Sequence, residues 1–137
     1  LFQMVVSNNT KFGGDYEMAE KEKMKNIQRV QILSQQLKAL EDQLQVFERR
    51  RIEVSHALEE LKKAEEKGEK TVYQFLGANI LVEKDLESVK EELEEELTAL
   101  ESRINLIKKQ LDVGKKELER LLKDLGYLGG PPETVGG

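Results

Sequence analysis

The chain has no cysteine and no tryptophan, and aromatic residues make up only 5% of its 137 residues. The absence of cysteine excludes disulfides and thiol chemistry. The apolar runs are far shorter than the roughly 20 residues that cross a bilayer, so we predict no membrane-spanning segment and no membrane partner. The segment Leu1–Val6 lacks the basic region and the length of a secretory signal, which favours a cytoplasmic protein.

Charged residues, in contrast, are abundant. They account for 36% of the chain, which has a formal net charge of −5. Lysine and arginine are interleaved with glutamate and form no uniform basic face, which argues against nucleic acid as a main partner. A chain this polar and this evenly periodic does not suit one compact core, and its composition is typical of coiled coils.

Residues 71–84 form an apolar insertion between two charged, periodic stretches. The residues Gly77-Ala78-Asn79 interrupt it and can supply the positive backbone angles of a tight turn, so we predict a β-hairpin. A lone hairpin is marginal in water, and one with apolar side chains on both faces and two open edges needs partners. We therefore predict oligomerisation through the hairpin. The predicted oligomerisation residues are Val72, Tyr73, Phe75, Leu76, Ile80, Leu81 and Val82.

Two long heptad patterns flank the hairpin. We predict a first helix over residues 15–67, from an N-cap at Asp15 to a stop at Gly68, and a second over residues 85–126, capped by Asp85. Apolar residues in each recur alternately every three and four positions, which is the seam pattern of a coiled coil. The first seam is Val30, Leu33, Leu37, Leu40, Leu44, Phe47, Arg51, Val54, Leu58 and Leu61. The second is Leu93, Leu97, Leu100, Ile104, Ile107, Leu111, Gly114, Leu118, Leu121 and Leu125.

The two seams predict an antiparallel coiled coil within one chain. In such a pair one helix runs up while the other runs down, so the residue numbers of any two facing positions add up to the same value. One choice of register pairs the seam residues of both helices along their whole length. Registers shifted by one heptad also fit the pattern, but they leave an end of one helix unpaired. Gly114 is the weak position, because glycine costs about 1 kcal/mol relative to alanine in a helix. The chosen register pairs Val54 with Leu97, Leu44 with Ile107 and Val30 with Leu121.

The seam becomes polar at the end away from the hairpin, where its next positions are Asn26 and Lys23. Apolar residues near this end have no obvious partner inside the chain, and we predict that they form an adaptable binding surface, for which flexible methionine is suited. Ordinary exposure of a few apolar side chains at a fraying helix end is the alternative. The predicted binding residues are Met18, Met24, Ile27, Leu122, Leu125 and Leu128.

No residues form a recognisable catalytic, cofactor or metal site. His56 is the only histidine, it falls on the outward face of its helix, and no cysteine or second histidine is present to complete a metal site. The acidic run at 91–96 spreads around the exposed side of its helix, which favours a solvated face over paired catalytic carboxylates. Arg49-Arg50-Arg51 is flanked by glutamates, which favours salt bridges along the coiled coil over phosphate binding. We therefore predict a protein that is not an enzyme and uses no cofactor.

The segment from Val72 to Asp85 reads V-Y-Q-F-L-G-A-N-I-L-V-E-K-D. It resembles the hairpin signature of prefoldin subunits, which is a Val-aromatic strand, a central glycine and an aliphatic strand. The order helix, one hairpin, helix resembles the β class, of the archaeal or the eukaryotic β-like type, since the α class carries two hairpins. The resemblance covers about residues 20–126 and leaves residues 1–17 unexplained.

The resemblance implies a hetero-hexamer with α-class prefoldin subunits and other β subunits, whose hairpins join into a β-barrel platform. It also implies capture of non-native client proteins at coiled-coil tips without ATP, and their transfer to a group II chaperonin. The expected fold class is therefore all-α with a small β-hairpin, an antiparallel two-helix coiled coil with the hairpin at the turn.

Three segments are expected along the chain: a flexible N-terminal arm over residues 1–14, the coiled-coil hairpin over residues 15–126 and a disordered tail over residues 127–137. Leu1–Gln3 precede Met4, and whether they belong to the natural chain stays open. Two other functions also stay open. One is a coiled-coil scaffold or adaptor that oligomerises through its hairpin, and the other is a helical arm of a larger enzyme.

Overall fold

The fold consists of two long helices joined by a two-stranded antiparallel sheet. The computed structural model describes the backbone of residues 10–127 and the side chains of residues 17–127. Residues 1–9 and 128–137, and with them Leu128 and most of the expected arm and tail, lie outside the described residues. The predicted fold class is confirmed. The elements are α1 (Thr10–Glu66), β1 (Thr71–Gly77), β2 (Ile80–Asp85) and α2 (Leu86–Asp124).

Helix α1 begins earlier than the sequence predicted. Its first residue is Thr10, whereas we expected a flexible arm up to residue 14 and an N-cap at Asp15. Gly13 and Gly14 lower helix propensity, by about 1 kcal/mol each relative to alanine, but they can adopt helical backbone angles, so the helix runs through them. Asp15 therefore lies inside α1 and is not its cap.

Both helices end in the glycine motif that the sequence predicted. Gly68 has a φ of +83°, in the left-handed region that glycine adopts readily. Its N–H donates to the carbonyl of Glu65 over 2.9 Å, and the N–H of Glu69 donates to that of Ala64 over 3.1 Å. These two bonds satisfy carbonyls that the end of the helix leaves free, which is the Schellman arrangement. The same pair of bonds follows α2 around Gly126.

Helix α2 begins with the predicted side-chain cap. The carboxylate Oδ2 of Asp85 accepts a hydrogen bond from the backbone N–H of Ser88 over 3.0 Å and another from its hydroxyl over 3.1 Å. This satisfies one of the free N–H groups in the first turn and confirms Asp85 as the N-cap.

The described part of the chain divides into two compact units, one formed by residues 41–109 and the other by the residues up to 40 together with those from 110 onward. The coiled-coil seam is buried in each. Every buried hydrophobic residue except Leu86 was predicted as a seam residue; Leu86 lies one heptad before Leu93 and was missed. The first unit buries Val54, Leu61, Leu86, Leu100, Ile104 and Ile107, and the second buries Leu37, Leu111 and Leu121.

Gly114 has a packing function that the sequence did not reveal. A Cβ atom added to it would lie 2.5 Å from Cδ2 of Leu37, so the missing side chain makes room for that leucine. Leu37 is the residue that the predicted antiparallel register places opposite Gly114, and the contact agrees with that register in this unit. Gly114 therefore lowers helix propensity but admits the buried Leu37 side chain.

Candidate functional site

Three residues with positive φ make the hairpin turn. The angles are +92° at Gly77, +49° at Ala78 and +62° at Asn79. Positive φ at both central residues is the signature of a type I′ turn, whose twist matches that of the flanking strands. The prediction that these three residues supply the turn angles is confirmed. Ala78 is the strained member, because alanine adopts the left-handed region less readily than either glycine or asparagine.

The strand register includes a bulge next to the turn. Phe75 pairs with Leu81 and Gly77 pairs with Ile80, so Leu76 is an extra residue in β1. A bulge bends its strand and strengthens the local twist. The end of the hairpin therefore twists more strongly than a regular two-stranded ribbon.

The two faces of the hairpin carry different side chains. Because side chains alternate along a strand and Phe75 pairs with Leu81, Tyr73, Phe75 and Leu81 lie on one face, which we call the aromatic face. Val72 and Val82 belong to the opposite face, where both are half-buried. The other five predicted oligomerisation residues are 52–68% exposed: Tyr73, Phe75, Leu76, Ile80 and Leu81.

Each strand of the hairpin also has an unpaired edge. Within residues 10–127 the sheet contains β1 and β2 alone. An edge strand presents a row of free N–H and C=O groups that can pair with another strand. The hairpin thus combines exposed apolar side chains with free backbone hydrogen-bonding groups.

The base of the hairpin is joined directly to α2. The N–H of Leu86 donates to the carbonyl of Lys70 over 2.9 Å, directly beside the Thr71–Asp85 pair. The side chain of Leu86 is buried. Asp85 is both the last strand residue and the cap of α2, so no linker residue separates β2 from α2.

The predicted binding residues near the helix ends differ in exposure. Met18 is 72% exposed, and Met24 is also exposed, beside a depression of about 570 Å³ on α1. Ile27, Leu122 and Leu125 are half-buried. For Ile27 and Leu122 this partial burial differs from the expectation that they lack partners inside the chain.

Exposed apolar side chains are not confined to the helix ends, and the sequence analysis missed those elsewhere. The sequence did carry a signal for these residues, which is a spacing of seven between apolar positions outside the seam. Val46 follows Ala39 by seven residues, and Leu106 follows Ala99 by seven. Exposure alone therefore does not single out the helix ends as a binding surface. The missed residues are Ile32, Val46, Ile52, Leu106 and Val113.

Ion pairs link the two helices in the unit formed by residues 41–109. Arg50 binds Glu96 through two hydrogen bonds, from Nε over 2.6 Å and from Nη2 over 2.8 Å. These bonds hold the pKa of the Glu96 carboxyl below its usual range, although partial burial opposes the shift. This bidentate pair confirms the predicted salt bridges along the coiled coil for Arg50, the one member of the arginine cluster that forms such a pair among the described residues. Two longer ion pairs across the helices are Lys90–Glu65 at 3.1 Å and Lys108–Glu48 at 3.7 Å.

The described side chains include no group of three or more histidine, cysteine, aspartate or glutamate residues placed to hold a metal ion. His56 is exposed, as predicted. Of the helices in the described part of the chain, neither has a stretch long and apolar enough to cross a membrane.

The comparison with known families agrees with this architecture. A family model described as prefoldin subunit matches residues 24–127, a range that holds the hairpin, all of α2 and most of α1. A search of curated proteins finds no match. Since the family match covers most of the chain, this protein belongs to the prefoldin subunit family.

Proposed function

We propose that this chain is a β-class prefoldin subunit of an ATP-independent holdase in the cytoplasm. Its family is one of non-enzymatic chaperones whose subunits assemble with one another. In the proposal, the assembly captures non-native proteins at its coiled-coil tips and passes them to a group II chaperonin. The assignment to the β class is supported by the single hairpin between α1 and α2, where an α-class chain carries two.

The exposed aromatic face carries the proposal. Tyr73, Phe75 and Leu81 present apolar surface to solvent beside two free strand edges. Burying one such side chain is worth roughly 1.5–3 kcal/mol, and pairing an edge satisfies its backbone groups as well. We infer that the hairpin joins those of α-class and other β subunits in a β-barrel platform of a hetero-hexamer.

Client capture is proposed for the helix ends. Met18 and Met24 are exposed and flexible, and Ile27, Leu122 and Leu125 each keep part of their apolar surface free. Each end offers only weak binding. Several ends held by one platform raise the effective concentration for a single non-native chain, so the combined affinity exceeds that of any one end.

The assembly step is tested with the double variant Phe75→Asp/Leu81→Asp. Native mass spectrometry, with and without an α-class subunit, should show loss of the oligomer, because two charges are placed in the interface. Far-UV circular dichroism should stay helical. The matched control is Ile52→Asp/Leu106→Asp, which adds the same charges at exposed helical positions and should leave the oligomer intact.

Two results would contradict this part of the proposal. An unchanged oligomer in the hairpin variant would place the interface elsewhere. A wild-type chain that forms only dimers, even with an α-class subunit present, would instead favour the coiled-coil scaffold.

The capture step is tested with Met18→Ser/Met24→Ser in the intact oligomer. We expect it to lose most of its protection of an unfolding client against aggregation, followed by light scattering without ATP. The control Ile32→Ser/Val113→Ser removes two other exposed apolar side chains and should protect like the wild type. Equal losses in both variants would mean that clients bind apolar surface without preference for the helix ends.

A further inference from the structure

A groove of about 580 Å³ lies between the two helices in the unit formed by residues 41–109. Its apolar lining includes Val46, Phe47 and Leu100. Leu100 belongs to the buried seam, whereas Val46 is exposed and extends the apolar surface outward from it. The groove therefore offers a continuous apolar lining that is open to solvent.

The two carboxylates that line this groove, Glu53 and Glu96, both approach Arg50, which leaves the other two arginines without an ion pair among residues 17–127. Arg50, which also lines it, is bound by Glu96 through two short hydrogen bonds and reaches Glu53 at 3.9 Å. Among residues 17–127, no carboxylate lies within ion-pairing distance of Arg49 or Arg103, although both line the same groove. The groove thus has positive charge available for an acidic partner.

Arg103 is also held in position. Its guanidinium carbon lies 5.6 Å from the centre of the Phe47 ring. A guanidinium stacked on an aromatic face keeps its N–H groups free to bind a carboxylate, and the stacking reduces the conformational freedom that binding must remove. Arg103 and Phe47 together form a site with an apolar floor and a charged rim.

We propose that this groove binds an amphipathic helix with acidic flanks from a partner protein, independently of the hairpin and of the helix ends. Apolar side chains of that helix insert over Val46, Phe47 and Leu100, as a third helix packs against a two-helix coiled coil. Glutamate or aspartate residues beside them bind Arg49 and Arg103. A nucleic acid would leave the apolar lining exposed, which favours a protein helix as the occupant.

The probe is a synthetic helical peptide of about 20 residues, a length of about 30 Å, with leucines along one face and glutamates beside them. A second peptide carries lysine in place of each glutamate. Binding to the full-length protein in its assembled form is followed by fluorescence anisotropy. We expect the glutamate peptide to bind and the lysine peptide to bind at least about tenfold more weakly. Added salt should weaken the first interaction.

The groove is tested with Arg49→Gln/Arg103→Gln, which removes both charges and keeps side chains of similar shape. The glutamate peptide should lose about tenfold or more in affinity. The control Lys62→Gln/Lys67→Gln removes the same charge at exposed positions that do not line the groove, and should change affinity less than about twofold. Val46→Glu should also prevent binding, while circular dichroism and oligomer mass stay those of the wild type.

Three outcomes overturn the proposal. Equal binding of both peptides would show that charge does not select the partner. Equal losses in the arginine variant and the lysine control would show that binding depends on net charge alone. A wild-type oligomer that loses mass on Val46→Glu would show that a second copy of the chain occupies the groove.

Discussion

Ile104 in α2 is 2% exposed, whereas Ile80 in the hairpin is 52% exposed. The same side chain is buried at one position and faces solvent at the other because of what the rest of the chain provides. Ile104 belongs to a heptad repeat that has a matching repeat on α1. Ile80 lies at the end of the hairpin, and within the described residues its sheet consists of β1 and β2 alone. The proposed assembly would bury this surface of the hairpin against other chains.

The sharpest contrast is expected from truncating these two isoleucines. Ile104→Ala removes atoms from a closely packed seam and should lower the free energy of unfolding by about 2–5 kcal/mol. Ile80→Ala should have almost no effect on the isolated chain, because its side chain is exposed there. Urea denaturation in the Phe75→Asp/Leu81→Asp background, where the hairpin interface is absent, measures both. Comparable losses would mean that the hairpin is packed within its own chain.

The contact between Gly114 and Leu37 gives a second test of how closely the buried seam is packed. Gly114→Ala should destabilise the protein by about 1 kcal/mol, since overpacking costs about 1–3 kcal/mol and the gain in helix propensity returns about 1 kcal/mol. In a Leu37→Ala background the obstructing Cδ2 is gone, and the same change should stabilise the protein by about 1 kcal/mol. A double-mutant cycle by urea denaturation tests this change of sign, and additive effects would contradict it.

Ala78 offers the corresponding test in the hairpin. Asparagine tolerates the left-handed region better than alanine, so Ala78→Asn should relieve part of a strain of about 1 kcal/mol. We expect the assembled protein to melt at a slightly higher temperature, with Thr71→Asn as a control that adds asparagine to a strand. A lower melting temperature for Ala78→Asn would show that this position needs a small side chain in the assembly.

The smallest effect is expected at the Arg50–Glu96 pair, which is partly exposed. Glu96→Gln should lower the free energy of unfolding by about 0.5 kcal/mol at neutral pH. Because the pKa of Glu96 is lower in the folded than in the unfolded chain, its contribution is full above the unfolded pKa and disappears as pH falls through the folded pKa. The difference between wild type and variant should therefore shrink below about pH 4.3, the ordinary value for glutamate.

Thermal melts between pH 7 and pH 3 measure this difference. The control is Glu95→Gln, which removes the same charge at the neighbouring position, because Glu95 forms no ion pair among residues 17–127. A difference that persists unchanged at pH 3 would mean that the Glu96 side chain contributes through packing rather than charge.

The fold could be predicted from the sequence because local signals and repeats agreed. The heptads gave the antiparallel seam, and Gly68, Gly77 and Asp85 gave the ends of the elements. The early start of α1 could not be predicted, because the propensity of Gly13-Gly14 argues against a helix and only the continuing hydrogen bonds decide the matter.

The candidate sites were predictable only in part. The hairpin residues stand out because apolar side chains interrupt a charged chain. The groove at Arg103 does not stand out in the sequence, because its charge depends on which arginine forms an ion pair with a carboxylate. Arg49, Arg50 and Arg51 are consecutive, yet Arg50 is the one that forms the bidentate pair across the helices. That choice follows from side-chain geometry and not from spacing.

The direct joint between β2 and α2 limits how this chain can change during evolution. A single residue inserted between Asp85 and Leu93 would turn the rest of α2 by about 100° and carry its apolar stripe off α1. One residue added to a single strand would move its side chains to the wrong face of the hairpin. Paired insertions, one in each strand beyond the bulge, avoid both problems. Homologous chains should therefore differ in hairpin length by even numbers of residues and keep the joint at Asp85 without insertions.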